Sequence, residues 1–191
     1  MTDSTPNHPY GISYDGTPFS GRQPRWQNLI DIINTRGFRN IAEIGVHIGL
    51  TTFKVLEHCD LDAYFLVDSL FTKSCYDGVF PGPTVCMQMR SAVASTYIAP
   101  KSLDLVFIDG EHTYAEVKQD SLCWLPKIKD GGIICGHDYG HFSIEVADAV
   151  RELYTEFKLI DDDAPDVITH ATWNQSAVWI VEVPAGVRIF E

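Results

Sequence analysis

Four places in the chain combine chemistry-bearing residues with a position at the end of an apolar run: Glu43 with Gly45, Asp68, Asp109, and the pair His137-Asp138. In Glu43-x-Gly45-x-x-x-Gly49 two glycines stand four apart, as a backbone needs where it turns tightly or lets another molecule come close. A nicotinamide-binding loop would read G-x-G-x-x-G, so that a pyrophosphate can rest on a helix N-terminus. Here a carboxylate replaces the first glycine; it would repel a pyrophosphate and suits a cationic ligand or an ammonium group. Asp68 is placed to accept two hydrogen bonds from a ribose diol. Asp109, His137 and Asp138 bring together two carboxylates and an imidazole, and an imidazole of ordinary pKa about 6.5 takes a phenol or alcohol proton near neutrality.

The elements that must position these residues follow from hydrophobic periodicity. Residues 1–24 are polar and rich in turn formers, an irregular arm ahead of a single domain over 25–191. A helix from Trp26 to about Thr35 puts Leu29, Ile30, Ile32 and Ile33 on one broad face and ends at Gly37. A strand over 40–45 runs into the glycine loop, and a helix over 49–58 leaves it. Residues 63–68 form a strand apolar on both faces. Gly78, Pro81, Gly82 and Pro83 mark 69–85 as a mobile loop whose Phe71, Tyr76 and Phe80 serve as a lid or as packing.

A weak strand at 85–89 and a short helix over 91–97 precede a strong strand at 103–108. Residues 114–128 are helical, with Pro126 bending or ending the helix; 133–135 is a strand and 143–157 an amphipathic helix. Strands at 166–172 and 177–183, joined by a turn at Trp173-Asn174-Gln175, close the chain as an antiparallel pair. Strands buried on both faces and alternating with helices make a parallel sheet covered on both sides, an α/β doubly wound fold. Ligands of such sheets sit at the carboxyl ends of the strands. The four chemical positions all lie there, and Asp109 and His137-Asp138, from adjacent strand ends, converge on one point.

Composition narrows the partners. With 14 Lys+Arg against 26 Asp+Glu the net charge is −12. Such a field repels phosphate backbones and anionic lipid, which argues against nucleic acid and membrane surfaces and leaves a small neutral or cationic ligand. The cysteines, Cys59, Cys75, Cys86, Cys123 and Cys135, show neither CxxC pairing nor a disulfide framework and read as reduced thiols of a cytoplasmic protein. No stretch has the h-region of a signal peptide or the length to span a bilayer.

A ligand joining ribose to positive charge fits both Glu43 and Asp68, and S-adenosylmethionine has those parts: a sulfonium, an amino-acid ammonium and a ribose. Four motifs in order then carry a resemblance: Glu43-Ile-Gly45-Val-His-Ile-Gly49-Leu-Thr51-Thr52, Val67-Asp68, Phe107-Ile108-Asp109-Gly110-Glu111-His112-Thr-Tyr114, and Gly131-Gly132-Ile-Ile-Cys-Gly136-His137-Asp138-Tyr139. Over about residues 26–183 the chain resembles a class I S-adenosylmethionine-dependent methyltransferase. More narrowly it is similar to the small bacterial O-methyltransferase-like group with an IDGxHxY … GGxxxGHDY signature. The resemblance implies a Rossmann-like sheet of seven strands, order 3-2-1-4-5-7-6 with strand 7 antiparallel. It implies that Glu43, Gly45 and Gly49, with His47 and Thr51 in the same loop, cradle the cofactor, that Asp68 holds the ribose, that Ser91 stands near the adenine, and that Asp109 lies near the reacting methyl group.

Relatives that methylate catechols or sugar hydroxyls bind a divalent cation at the positions of Asp109, His137 and Asp138, so the resemblance also implies a metal site. A hydroxyl attacks a methyl sulfonium poorly unless its proton is removed or its pKa is lowered by a metal. All-oxygen sites suit magnesium; the histidine tilts the preference toward manganese, iron, zinc or another transition metal. Alternatively His137 is a general base and no metal is required.

Plain structural roles compete at several positions. Asp68 could cap the turn after its strand, and Glu111 could cap the helix starting near Tyr114. His112 reads as structural or cofactor-adjacent, and His47 as packing against the loop. Gly140 breaks the helix that would align His141 with His137. Trp26, Trp124 and Trp179 read as core, Trp173 as a pocket wall or an edge cover, and Asp161-Asp162-Asp163 as a solvated acidic turn. The expected activity is methyl transfer to an oxygen of a small-molecule or sugar acceptor near Asp109, His137 and Asp138. A nicotinamide oxidoreductase, a metal-dependent hydrolase and a non-catalytic S-adenosylmethionine-binding module are the rival readings. The 26–35 helix could pack across a dimer axis, so a homo-oligomer is a further expectation.

Overall fold

In a computed structural model the described residues are 25–71, 80–140, 144–160 and 177–184. The arm over 1–24, Cys75, Tyr76, Gly78, His141, the acidic turn, the strand at 166–172 and the Trp173 turn lie outside them. The elements run α1 (Arg25–Arg36), β1 (Asn40–Ile44), α2 (Leu50–His58), β2 (Ala63–Asp68), β3 (Thr84–Gln88), α3 (Ser91–Ser95), β4 (Leu103–Ile108), α4 (Tyr114–Trp124), β5 (Ile128–Tyr139), α5 (Ile144–Leu153), β6 (Lys158–Ile160) and β7 (Ala177–Glu182). They build one seven-stranded sheet of order β3-β2-β1-β4-β5-β7-β6. The first five strands are parallel, and β7 runs antiparallel to both β5 and β6. The expected order and the expected reversal of β7 are both present.

Side chains alternate between two buried layers because both faces of the sheet are covered. Ile41, Leu66, Leu105 and Phe107 meet Leu29 and Ile33 of α1 and Val55 of α2. Ala42, Ile44, Val67 and Val106 meet Ala94, Val117, Trp124 and Val150 from α3, α4 and α5. Each fully buried Leu or Ile contributes roughly 1.5–3 kcal/mol, so this double layer is the main support of the sheet. Trp26, Trp124 and Trp179 are core residues, as their apolar faces suggested. No helix among the described residues is long and apolar enough to cross a membrane.

The sequence reading departs from the fold where local pattern is weak. The sixth strand is Lys158–Ile160, three residues long and too short to show an alternation. β5 starts at Ile128, five residues ahead of the expected strand, because Asp130-Gly131-Gly132 makes an irregularity inside the strand: Leu103 pairs with Ile128 and Leu105 with Ile133. The helix expected to reach 128 stops at Trp124 and continues as a single 3-10 turn over Leu125–Lys127 that contains Pro126. Thr113, rather than Glu111, caps α4, accepting a hydrogen bond from the Glu116 N–H. Phe71 and Phe80 are packed into the α1–α2 layer, Phe80 against Phe53, so the lid reading does not describe them.

One polar cluster is buried within that layer. Glu43 points toward α2, where its Oε2 accepts hydrogen bonds from Thr52 Oγ1 at 2.7 Å and from the Tyr64 hydroxyl. These bonds tie β1 to α2 and β2. Burial pushes the Glu43 carboxyl up to about 7, against the pull of Tyr64 and Thr52.

Two predictions follow from the carboxyl end of β1. A folded-state pKa above the value of 4.5 for the free group means that native Glu43 binds its proton more tightly than unfolded Glu43. Its contribution is therefore most favourable at low pH and declines by about 3 kcal/mol between pH 4.5 and pH 8. Glu43→Gln should remove that decline from urea-unfolding free energies measured across this window; an unchanged pH slope would show that another group titrates. At Gly45 the backbone has φ 93, and an added Cβ would lie 2.3 Å from the Asp109 carbonyl oxygen. Gly45→Ala should cost roughly 3 kcal/mol, read as a lower urea midpoint at constant m.

Candidate functional site

The carboxyl ends of β1, β2 and β4 open on a cavity of about 1040 Å³ that crosses the edge of the sheet. Arg25 and Thr51, from α1 and α2, line one side; Ser91 and Asp120, from α3 and α4, line the other. Between them the wall includes Gly45, Asp68, Asp109 and Asp138. Of the residues singled out in the sequence, Glu43, His47 and Thr51 also reach this wall, whereas Gly49 and His137 do not.

The glycine loop is shaped by its own packing. Gly45, His47 and Gly49 all have positive φ, at 93, 50 and 77°. Gly45 is bare because the end of β4 passes directly against it, and Gly49 because a Cβ there would meet the Phe80 ring at 2.9 Å. The loop is then pinned from β2: Asp68 Oδ2 accepts the Val46 and His47 N–H groups at 2.9 Å each, and Oδ1 accepts the Leu70 N–H at 2.9 Å. Asp68 thus orders the loop that resemblance assigns to a cofactor, and its Oδ1, with one donor recorded, keeps a lone pair for another.

The second constellation forms as the strand ends predict. β5 and β7 pair at Gly136–Trp179 and again at Tyr139–Ala177, so β5 carries one extra residue, and Asp138 there has φ 59°. In a regular strand neighbouring side chains point to opposite faces; this bulge lets His137 and Asp138 turn toward the same place. His137 Nδ1 lies 3.2 Å from Asp138 Oδ1 and 3.7 Å from Asp109 Oδ1. Asp109, His137 and Asp138 each bring a ligand-type atom within 4.8 Å of the others. The His137 side chain, at 1% exposure, stands behind the two acids instead of on the cavity wall.

Two basic side chains complete this end: Arg25, which the sequence did not single out, and His112, which it read as structural or cofactor-adjacent. Arg25 Nε is 3.1 Å from Asp109 Oδ2 and donates to Thr51 Oγ1 at 3.3 Å. Nothing in the local sequence marks Arg25, because its partners lie 84 and 26 positions away. His112 lines the cavity with Nε2 2.8 Å from Asp138 Oδ2. Asp138 holds the His112 imidazole above its ordinary pKa. Burial alone would raise the Asp138 carboxyl; His137 and His112 outweigh it and keep that carboxyl well below the usual range.

Ser91 begins α3, and its Oγ accepts a hydrogen bond from Trp124 Nε1 at 2.8 Å. Asp120 sits beside it, also unanticipated. Its signal was present: an acid on the buried stripe Val117-Asp120-Ser121-Trp124 of α4 interrupts an otherwise core-facing helix.

Known proteins can be set beside this geometry. No curated protein sequence matches the chain significantly. Solved structures share its fold at low identity: a caffeoyl-CoA O-methyltransferase-like protein from Staphylococcus aureus at TM-score 0.61 and 14% identity, covering 82% of each chain. An rRNA methylase from Streptococcus thermophilus aligns at TM-score 0.60 and 10% identity, over 86% of this chain and 98% of that one. The N-methyltransferase NodS from Bradyrhizobium japonicum, in complex with S-adenosyl-L-homocysteine, aligns at TM-score 0.55 and 15% identity, over 82% and 83%. Their acceptors differ, so this likeness concerns the fold alone. A family model described as a methyltransferase domain matches residues 42–139, from β1 through the end of β5, which is more than half of the chain and includes all four motifs. The chain belongs to that methyltransferase-domain family.

Proposed function

We propose that this protein transfers a methyl group from S-adenosylmethionine to an oxygen of a small-molecule or sugar hydroxyl. The observation that carries the reading is the single cavity that joins the Asp68-pinned loop to the Asp109–Asp138 pole. The NodS neighbour, which shares this fold and whose structure is a complex with S-adenosyl-L-homocysteine, supports the cofactor. In this reading Asp68 and the Val46–Gly49 loop hold the ribose and methionine portions. The net charge of −12 supports an acceptor other than nucleic acid, and the scattered cysteines support a cytoplasmic location.

The acceptor oxygen would attack the methyl carbon in line with the breaking S–CH₃ bond, whose electron pair stays on sulfur. His112, on the wall and backed by Asp138, is the imidazole such a hydroxyl reaches; it takes the proton while Asp138 balances the charge. Arg25 orients Asp109 from the other side. The rest of the rate would come from alignment and exclusion of water. A divalent cation would fit the donor set of Asp109, His137 and Asp138, whose Asp109 Oδ1, His137 Nδ1 and Asp138 Oδ1 atoms stand close together while Arg25 occupies Asp109 Oδ2. Bound there, a manganese- or zinc-type ion would lower the pKa of the acceptor hydroxyl.

Calorimetric titration with S-adenosyl-L-homocysteine tests the reading. Micromolar binding, no binding of NAD, and a loss of tenfold or more in an Asp68→Ala variant that still unfolds cooperatively are the expected results. No binding of the homocysteine compound, with or without metal, would overturn it in favour of a metal-dependent hydrolase or a scaffold. Titration of the chelator-washed chain with Mn²⁺ should give heat that Asp138→Ala abolishes; an identical isotherm in the variant would remove the metal from this site.

A further inference from the structure

On the sheet face that α1 and α2 cover, a groove of about 690 Å³ runs between α1 and the strands β5, β7 and β6. Ile133 and Ile180 form its floor, and Ile32 of α1 and Ile160 of β6, both only half-buried, stand along it. Asn28, Asp31, Ile32, Thr35 and Arg36 line the α1 side at helical spacing, apart from the face that Leu29, Ile30 and Ile33 turn to the core. In this second stripe Asp31, Thr35 and Arg36 are exposed. No residue lines both this groove and the cavity at the strand ends.

Charge says what such a groove accepts. It is lined by Asp31, Glu156 and Glu182 against Arg36 and Lys158, a near balance in a chain of net charge −12. Two copies of so acidic a chain repel each other, and a nearly neutral face is where they approach at least cost. The order of charges along α1 is also self-complementary. Take two antiparallel copies of α1 about a two-fold axis that crosses midway between Ile32 and Thr35. Asp31 of each then meets Arg36 of the other, and Ile32 faces Thr35 across the axis. Because α1 borders the groove, each helix enters the other copy's groove and covers its half-buried isoleucines. Within one chain Asp31 accepts Gln27 Nε2 at 2.9 Å and Arg36 pairs with Glu182; these exposed contacts are weak enough to be shared with a second copy.

We propose that the groove between α1 and the β7–β6 edge is the two-fold interface of a homodimer, held by reciprocal Asp31–Arg36 pairs around Ile32. The occupant of each groove is the α1 helix of a second copy of this chain. This gives the homo-oligomer expected from the sequence a defined face, and it does not depend on the methyl-donor reading.

Sedimentation equilibrium of the full chain is the test. At micromolar concentration the wild type should sediment at twice its 21.4 kDa. Asp31→Arg and Arg36→Glu each set like charges against each other at both pairs, and each should weaken self-association roughly 30-fold. In an equimolar mixture of the two variants the mixed dimer regains both pairs, so the mixture should associate within about threefold of the wild type. Arg36→Glu also breaks the pair with Glu182, a loss that mixing cannot restore, so recovery in the mixture reports the contact between copies. A wild type that stays monomeric up to roughly 0.1 mM overturns the proposal in favour of a small apolar ligand in the groove. So does a dimer whose affinity is unchanged in a folded Asp31→Arg, and so does a mixture no tighter than its components. Should Arg36→Glu fail to fold, Asp31→Arg, at an exposed position, decides alone.

Discussion

At the carboxyl edge of the sheet the end of β4 lies so close to Gly45 that the Asp109 carbonyl oxygen is 2.3 Å from where a Cβ would stand. Backbone meets backbone there, and the Ile44 carbonyl accepts the Asp109 N–H at 2.8 Å while the Gly45 N–H reaches the Val67 carbonyl at 2.9 Å. Those contacts set the distances on which the site depends. They hold the start of the loop against β2, so that the next two N–H groups meet Asp68. They also fix the chain at Asp109, whose carboxylate is thereby carried to Arg25 on one side and His137 on the other.

Five of the carboxyls that line the cavity of this acidic chain are each accommodated by a different device. Glu43 is buried with two hydroxyl donors and pushed toward the neutral form. Asp68 is held by backbone N–H groups, which supply partial positive charge without a side chain. Asp109 faces a guanidinium and Asp138 two imidazoles. Asp120 has a serine and an unfilled oxygen. The guanidinium and the imidazoles therefore gather at Asp109 and Asp138, whereas Asp120 keeps an oxygen without a partner among the described residues.

The placement of charge also changes the meaning of the loop motif. The Glu43-x-Gly45 pattern suggested a carboxylate facing a cationic ligand, and Glu43 does reach the cavity wall. Its Oε2, however, is engaged by Thr52 and Tyr64, so much of its role is to knit β1 to α2 and β2. Likewise the glycines are there for chain packing, at Gly45 against β4 and at Gly49 against Phe80. A cofactor loop of this kind is built first as a structural joint, and its ligand-facing N–H groups follow from the conformation the joint imposes.

Alternating burial and strand-end polarity are local properties, which is why the sequence alone carried the doubly wound sheet, its strand order by resemblance, and the meeting of Asp109, His137 and Asp138 at one edge. A three-residue strand such as Lys158–Ile160 has no period to detect, and the reach of β5 back to Ile128 depends on its pairing with Leu103. Partners contributed from distant elements escape local reading for the same reason: Arg25 on Asp109, Tyr64 on Glu43, and His112 on Asp138 exist only once the strands are side by side. Tertiary structure alone decided that His137 is enclosed while His112 meets the cavity, because a single extra residue in β5 redirects the side chains beyond Gly136. Residue types determined which chemistry was available; the bulge and the closed approach at Gly45 determined which atoms face the ligand.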